Sequence, residues 1–248
     1  MINVENFYVE NFLIFNLNEV ESTNDLAKSL IKNQQLLPNQ IILAKTQTKG
    51  RGRLDRQWQS PIGNLYFSIF LQNNLPLANN NQLSFVASCA LNQTVSKIAK
   101  NDLQIQNKWP NDLLINQKKV AGIMIEGESI TDNLTNIILG IGVNLMSHPQ
   151  NSLFLANNLQ NLKINITPIE FLKIFLPEFQ KIYNIWLNFG FKNIRELWLK
   201  NAYKIGEEIK ISCSKINEIG IFTGVSDDGC IILNANNIDK KINYGDVS

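Results

Sequence analysis

Between Leu103 and Leu145 the chain passes from one strand-like segment to the next with no helical pattern in between, and this limits the fold more than any other feature. "LQIQNKW" (Leu103–Trp109) stops at Pro110 and an Asn111-Asp112 turn, since the residue before a proline is pushed out of helical geometry. "LLIN" and "KVAGIMIEGE" flank Gln117-Lys118 as the arms of a hairpin, and "NLTNIILGIGVNL" (Asn133–Leu145) follows as a further strand. Parallel neighbours need a long crossover, usually a helix, whereas antiparallel neighbours need only a turn. Consecutive strands therefore argue against a strictly alternating, doubly wound sheet. They predict an α+β fold, a mixed β-sheet flanked by helices.

The rest of the chain supplies the flanking elements. Phe12–Val20, Gln40–Gln47 and Asn64–Gln72 read as strands. Ser22–Lys32 reads as a helix, with Ser22 as N-cap and Asp25 approximating a capping box. Asn73–Asn81 and Ser147–Ile166 read as loops. Helical spacing recurs over Leu83–Ala99, Pro168–Gly190, where Pro177 is expected to kink or split the helix, and Phe191–Ala202. After about Tyr203 the character changes. "EEIKISC", "EIGIFTGVS", "CIILNA" and "KKINYG" are short β-like runs separated by Gly220, Gly224, Asp227-Asp228-Gly229 and Gly245. That pattern predicts a small C-terminal β-barrel, and so a division into residues 1–202 and 203–248.

The net charge is only +2, so no chain-wide field draws the protein to nucleic acid. Yet "TKGRGRLDRQW" (Thr48–Trp58) gathers Lys49, Arg51, Arg53 and Arg56 around Gly50 and Gly52, with Asp55 as its only acid. Glycines let backbone amides approach an anion, and arginines add forked, permanently charged donors. The spacing matches neither the phosphate loop G-x-x-x-x-G-K-[ST] nor a dinucleotide fingerprint. By residue type alone it is either an anion site or a solvated basic loop, and Trp58 either stacks on a ligand or packs.

The other candidates are equally two-sided. Lys108, at a strand end, either points into a cleft or precedes a surface turn, and Lys119 across the hairpin faces the same choice. Ser22, Thr23 and Asn24 either hold a polar ring or anion at a helix start, or simply cap it. Gly140 to Asn144, "GIGVN", is weak as a phosphate motif and would also serve close strand packing. His148, beside Pro149, is expected to have no catalytic role, and no Ser/His/Asp or Cys/His set surrounds it. The acidic start "MINVENFYVENFLIF" does not read as a signal peptide, and no apolar run is long enough to span a bilayer. Cys89, Cys213 and Cys230 are in no metal-like spacing, so reduced structural thiols and a cytoplasmic location are expected.

Taken together, "ESTN", "AKTQTKGRGRLDRQW", "GNLYFSIFL", "KWPNDLLINQKKVAGIMIEG" and "GIGVNL" stand in the order found in biotin protein ligases, also called biotin–acetyl-CoA-carboxylase ligases. The tail "GIFTGVSDDGCIIL…YGDVS" is similar to their C-terminal barrel, and the likeness runs from Asn18 to Ser248. The resemblance implies a catalytic domain related to class II aminoacyl-tRNA synthetases, followed by an SH3-like barrel. It also implies a reaction: ATP and biotin, with Mg²⁺, give biotinoyl-5′-AMP and pyrophosphate. A lysine ε-amine of a biotin carrier, the biotin carboxyl carrier protein of acetyl-CoA carboxylase by best guess, then attacks and releases AMP.

Roles implied by the resemblance fall on matching positions. Ser22, Thr23, Asn24 and Gln47 meet the biotin ring with backbone at Gly50 and Arg51. Arg53 and Lys108 are the catalytic pair, facing the biotin carboxylate and the adenylate phosphate. Arg56, Trp58, Asn111, Lys119 and Asn144 lie on the ATP side. No residues are implied for the metal. Neither nucleic acid nor membrane is an expected partner, and the chain is expected to be a monomer or a homodimer. Two other functions share some of these features. A lipoate–protein ligase would share the fold without needing the arginine-glycine loop. A nucleic-acid-binding module would use that loop with the barrel.

Two departures from the family pattern carry expectations. Many relatives run G-R-G-R-x-G-R-x-W, and Asp55 stands here where they have glycine. Asp tolerates left-handed backbone better than most residues, so Asp55 is expected to keep that turn. The loop itself is expected to stay mobile until a ligand neutralises its arginines. Residues 1–17 precede the first motif, too few for a DNA-binding helix-turn-helix, so a ligase without repressor function is expected.

Overall fold

The computed structural model describes residues 5–99, 102–132, 134–150, 155–213 and 216–247, with the side chains of residues 78, 213 and 216 outside the description. An eight-stranded sheet is built from β1 (Glu5–Val9), β2 (Phe12–Val20), β3 (Gln40–Gln47), β4 (Leu65–Asn73), β5 (Ile105–Lys108), β6 (Asp112–Ile115), β7 (Lys118–Thr131) and β8 (Leu134–Val143), in the order β1-β2-β3-β4-β8-β7-β6-β5. Only β2 and β3 pair in parallel. Their crossover is the helix α1 (Thr23–Lys32), as the connection rule requires. The run from β5 to β8 is antiparallel throughout.

Period-two alternation assigns the two faces of this sheet. Leu65, Phe67, Ile69 and Leu71 of β4, with Ile137, Leu139, Ile141 and Val143 of β8, enter the main core. There they meet α2 (Gln82–Ile98), α3 (Pro168–Phe189) and α4 (Phe191–Leu199). The intervening residues face the other way. Phe70 and Ile138 pack under α1 with Leu17, Ala27, Leu36 and Ile42. Beyond that small cluster the same face carries Ser68 and Gly140, covered only by the first turn of α1, and Gly122, Met124 and Gly142, where a cleft opens.

Pro177 neither splits nor ends α3, which runs unbroken for 22 residues. An interior proline costs about 3 kcal/mol locally. Burial of Phe171, Phe175, Phe179, Ile182 and Trp186 along one face of the same helix outweighs it. Thr167 and Glu170 close a capping box at its start. Ser22 caps α1 through its Oγ, which accepts from Asp25 N at 3.3 Å. The hairpin turn sits one residue earlier than expected, at Asn116-Gln117 (φ 48° and 62°). β5 is also shorter than the run read from Leu103, and Asp112 belongs to β6 rather than to a turn.

The C-terminal strands β9 (Glu208–Cys213), β10 (Ile216–Val225), β11 (Ile231–Ala235), β12 (Ile238–Ile242) and β13 (Asp246–Val247) form one antiparallel sheet, ordered β12-β11-β10-β9-β13. Among the described residues its ladder does not close, so the expected barrel is an open, five-stranded sheet. Its Ile209, Ile211, Phe222, Ile231 and Leu233 join the same core as the large sheet. Trp109 Nε1 donates to Gly229 O at 3.1 Å across the junction. Cys89 and Cys230 are free and buried; the reading of Cys213 as a structural thiol lies outside the described residues.

Candidate active site

The polar end of the cleft is made by the start of α1 lying over the glycines of β8. Thr23 N and Oγ1 reach Gln47 Oε1 at 2.8 and 3.2 Å, and Gln47 Nε2 donates to Ser60 Oγ at 2.9 Å. Ser68 Oγ lies 2.7 Å from Thr23 Oγ1 and 2.6 Å from Asn24 Oδ1, one proton shared between two acceptors. Asn24 Nδ2 donates to Glu126 Oε2 at 2.8 Å. A Cβ on Gly140 would fall onto Asn24 Oδ1, and one on Gly142 would stand 2.6 Å from the Trp58 indole. These glycines are therefore an open floor set by close approach, not a phosphate loop.

Ser68 was not read as a site residue, although a lone hydroxyl amid the apolar run "LYFSIFL" is a visible signal. Ser68→Ala would strip a buried partner from both Thr23 and Asn24. The expected loss is about 1–3 kcal/mol in urea unfolding, with weaker ligand binding. An unchanged midpoint would show the hydroxyl to be dispensable.

The basic loop forms the cleft's cationic wall. It is a short hairpin: Arg51 bridges Gln57, Gly52 N donates to Arg56 O at 2.6 Å, and Arg56 N to Arg53 O at 3.2 Å. Leu54 and Asp55 both have φ 55°, the two left-handed positions of a type I′ turn. Asp55 thus keeps the conformation expected of it. Leu54 shares it, at a cost of about 1 kcal/mol.

The chain's own carboxylates already hold three of the loop's four cations. Arg51 forks onto Asp25 (3.1 and 2.6 Å) and reaches Glu126 at 2.9 Å. Arg56 pairs with Asp246 of β13, and Lys49 with Glu21 at 2.9 Å, both exposed. Arg53 donates to Asn111 Oδ1 at 3.2 Å. Burial pulls the Arg53 guanidinium below its ordinary value, with Asp246 and Asp112 offsetting part of the effect. Internal acids thus already partner Lys49, Arg51 and Arg56.

The cleft has a volume of about 300 Å³. It brings together Ser22, Thr23, Asn24, Gln47, Arg51, Arg53, Arg56, Trp58, Asn111, Lys119 and Asn144, as expected. Lys119 pairs with Asp112 at 2.6 Å and stands 5.2 Å from the Trp58 ring. Trp58 Nε1 is buried with no hydrogen-bond partner among the described residues. Two expected residues lie outside the lining. Gly50 is buried under Trp58 and Ser60, whose oxygens leave no room for a Cβ. Lys108 ends β5 with its ammonium 5.7 Å from the Tyr203 ring. Burial lowers its pKa, and its field reaches Asp112, Lys119 and Asp246, all of which line the cleft. His148 stays outside, 2.9 Å from Asn158 Nδ2. Asp246, 190 residues from Arg56, had no sequence signal; Glu126 could have been placed by alternation from Gly122 and Met124.

A neutral polar floor continuous with a wall of cations suits the joining of a carboxylate to a phosphate, the task of ligases that activate acids on ATP. Comparison with known proteins narrows this class. The profile of the biotin/lipoate A/B protein ligase family matches residues 17–144, and the chain belongs to that family. It is 31% identical to the bifunctional ligase/repressor BirA of Bacillus subtilis over 237 residues, covering 92% of this chain and 71% of that one. It is 32% identical to the biotin–[acetyl-CoA-carboxylase] ligase of Paracoccus denitrificans over 223 residues, covering 88% and 92%. Its structure matches the Aquifex aeolicus biotin protein ligase in complex with biotin and ATP with a TM-score of 0.80, at 28% identity and covering 95% and 97% of the two chains.

Proposed function

We propose that the chain activates biotin with ATP as biotinoyl-5′-AMP and transfers it to a lysine of a carrier protein. The carrier is the biotin carboxyl carrier protein of acetyl-CoA carboxylase, as the name of the Paracoccus relative suggests. One observation carries the reading: the uncharged donors and acceptors of Ser22, Thr23, Asn24 and Gln47 share a single cavity with Arg51, Arg53, Arg56 and Lys119. A ureido ring needs the first group. A carboxylate and a triphosphate need the second.

The chemistry is mostly electrostatic. Two anions approach each other, and fixed cations offset the repulsion and stabilise charge at the α-phosphorus in the transition state. Arg53 and Lys119 line the cleft, and the field of Lys108 reaches its wall from outside. Each charge-assisted hydrogen bond contributes about 1.5–3 kcal/mol. No side-chain nucleophile is needed, because the biotin carboxylate attacks. Trp58 covers the glycine floor, and its unsatisfied Nε1–H is a donor for an acceptor atom of the ligand.

Magnesium enters with the nucleotide as part of the substrate. No cluster of three His, Cys, Asp or Glu occurs among the described residues, and Asp112 and Asp246 are each held by a cation. That donor set fits an ion carried mainly by phosphate oxygens. No helix among the described residues is long and apolar enough to cross a membrane. A cytoplasmic location, where ATP and a carrier are at hand, is part of this reading.

The test is transfer of labelled biotin to a carrier domain with and without ATP, in parallel with labelled lipoate. ATP-dependent labelling by biotin is expected. Labelling by lipoate alone, or by neither, would refute the reading.

A further inference from the structure

A second cavity of about 130 Å³ adjoins the main cleft of about 300 Å³, and the two share Arg53, Asn111 and Ile123 as a common wall. Its rim is polar and exposed, formed by Asn81, Asp228 and Asn243. Phe85, Trp109 and Ile125 contribute apolar surface to it, beside the polar Ser84 and Asn111. Asp228 is the one acid and Arg53 the one cation in this lining among the described residues, and they lie on its rim and on its shared wall. The Asp228 carboxylate accepts from Ser226 Oγ and stands 3.3 Å from Cys230 Sγ. The Ser226 hydrogen bond keeps its pKa below the usual carboxylate range.

We propose that this side cavity is the approach channel for the acceptor lysine of the carrier protein, with Asp228 as the positioning residue that receives its ammonium at the mouth. The inference rests on the reading that the main cleft forms an acyl-adenylate. A lysine side chain has an aliphatic stem and a cationic head, and the cavity offers the apolar surfaces of Phe85, Trp109 and Ile125 together with one acid, Asp228. With an acid and a nucleotide side by side in the main cleft, the acceptor needs a separate path. The side cavity meets the main one at Arg53 and Asn111, where the cationic wall faces the acid–phosphate junction.

The charges along the channel also favour the reaction. Asp228 stabilises the ammonium at the rim, and Arg53 at the inner end disfavours it, so the lysine gives a proton to solvent as it advances. The neutral amine attacks the acyl carbon. The C–N bond forms, the bond from that carbon to the phosphate oxygen breaks, and its electron pair leaves on AMP. A second proton passes to solvent.

The test separates the two half-reactions in the full-length protein. Wild type, Asp228→Asn and Asn243→Trp are supplied with biotin and ATP, and pyrophosphate release is measured. The adenylate is then chased with carrier domain or with hydroxylamine, a small neutral nucleophile. Pyrophosphate release and hydroxylamine capture are expected to match wild type in both variants, while transfer to the carrier falls about tenfold or more, the scale of one lost charge-assisted contact or a blocked path. Asn243 is exposed and outside the hydrogen bonds of Asp228, so its substitution tests the channel independently of the Ser226 turn. Transfer at the wild-type rate in both variants, or in Asn243→Trp alone, overturns the channel. Failure of the wild type to release pyrophosphate with biotin overturns the functional reading beneath it.

Discussion

Lys108→Ala is expected to release pyrophosphate from biotin and ATP about a hundredfold to a thousandfold more slowly than wild type, the range found when one preorganised charge donor is removed from a reaction centre. Biotin affinity should change little, because Lys108 lies outside the cleft lining that Ser22, Thr23, Asn24 and Gln47 share. The effect is electrostatic. Lys108 lies outside the cleft lining, yet its field reaches Asp112, Lys119 and Asp246 on the cleft wall. Its ammonium is largely removed from water, where each interaction is worth more than at the surface. A four-carbon stem also leaves it free to follow developing charge. Pre-steady-state pyrophosphate release gives the measurement. A normal rate would move the role to Lys119, which lines the cleft and stands beside Trp58.

Arg53→Gly should shed the adenylate roughly tenfold to a hundredfold faster, with a much smaller change in affinity for biotin alone. Arg53 is half-buried, desolvated and bound to Asn111 at 3.2 Å, so its guanidinium is presented in one orientation. Only the adenylate offers it a phosphate. Loss of one such charge-assisted contact, about 1.5–3 kcal/mol, sets the expected ratio. Equal losses for biotin and adenylate, read by titration of each ligand, would place Arg53 in the biotin subsite instead. Because Arg53 also walls the side cavity, this variant should alter transfer to the carrier as well, which Asn243→Trp separates from retention.

Much of the site was legible from local pattern. Ser22 caps α1 as its position before an apolar-periodic run implied. Asp55 adopts the left-handed turn that glycine would take. The three cations Arg51, Arg53 and Arg56 line a cleft, as an anion site would require. Other features depended on packing. Pro177 leaves α3 unbroken because the aromatic face of that helix is buried around it. The C-terminal sheet is open among the described residues, and its inner face shares the core of the large sheet.

The sequence by itself determined the antiparallel run of strands, the alternation that turns Gly122, Gly140 and Gly142 toward the cleft, and the chemistry of the basic loop. Each follows from spacing over a few residues, where backbone geometry leaves little choice. Only the tertiary structure decided who neutralises that loop. Asp25 lies 26 residues from Arg51, Glu126 lies 75, and Asp246 lies 190 from Arg56. Coulomb energy depends on distance through space, and that distance exists only once the sheet and the C-terminal strands have packed together.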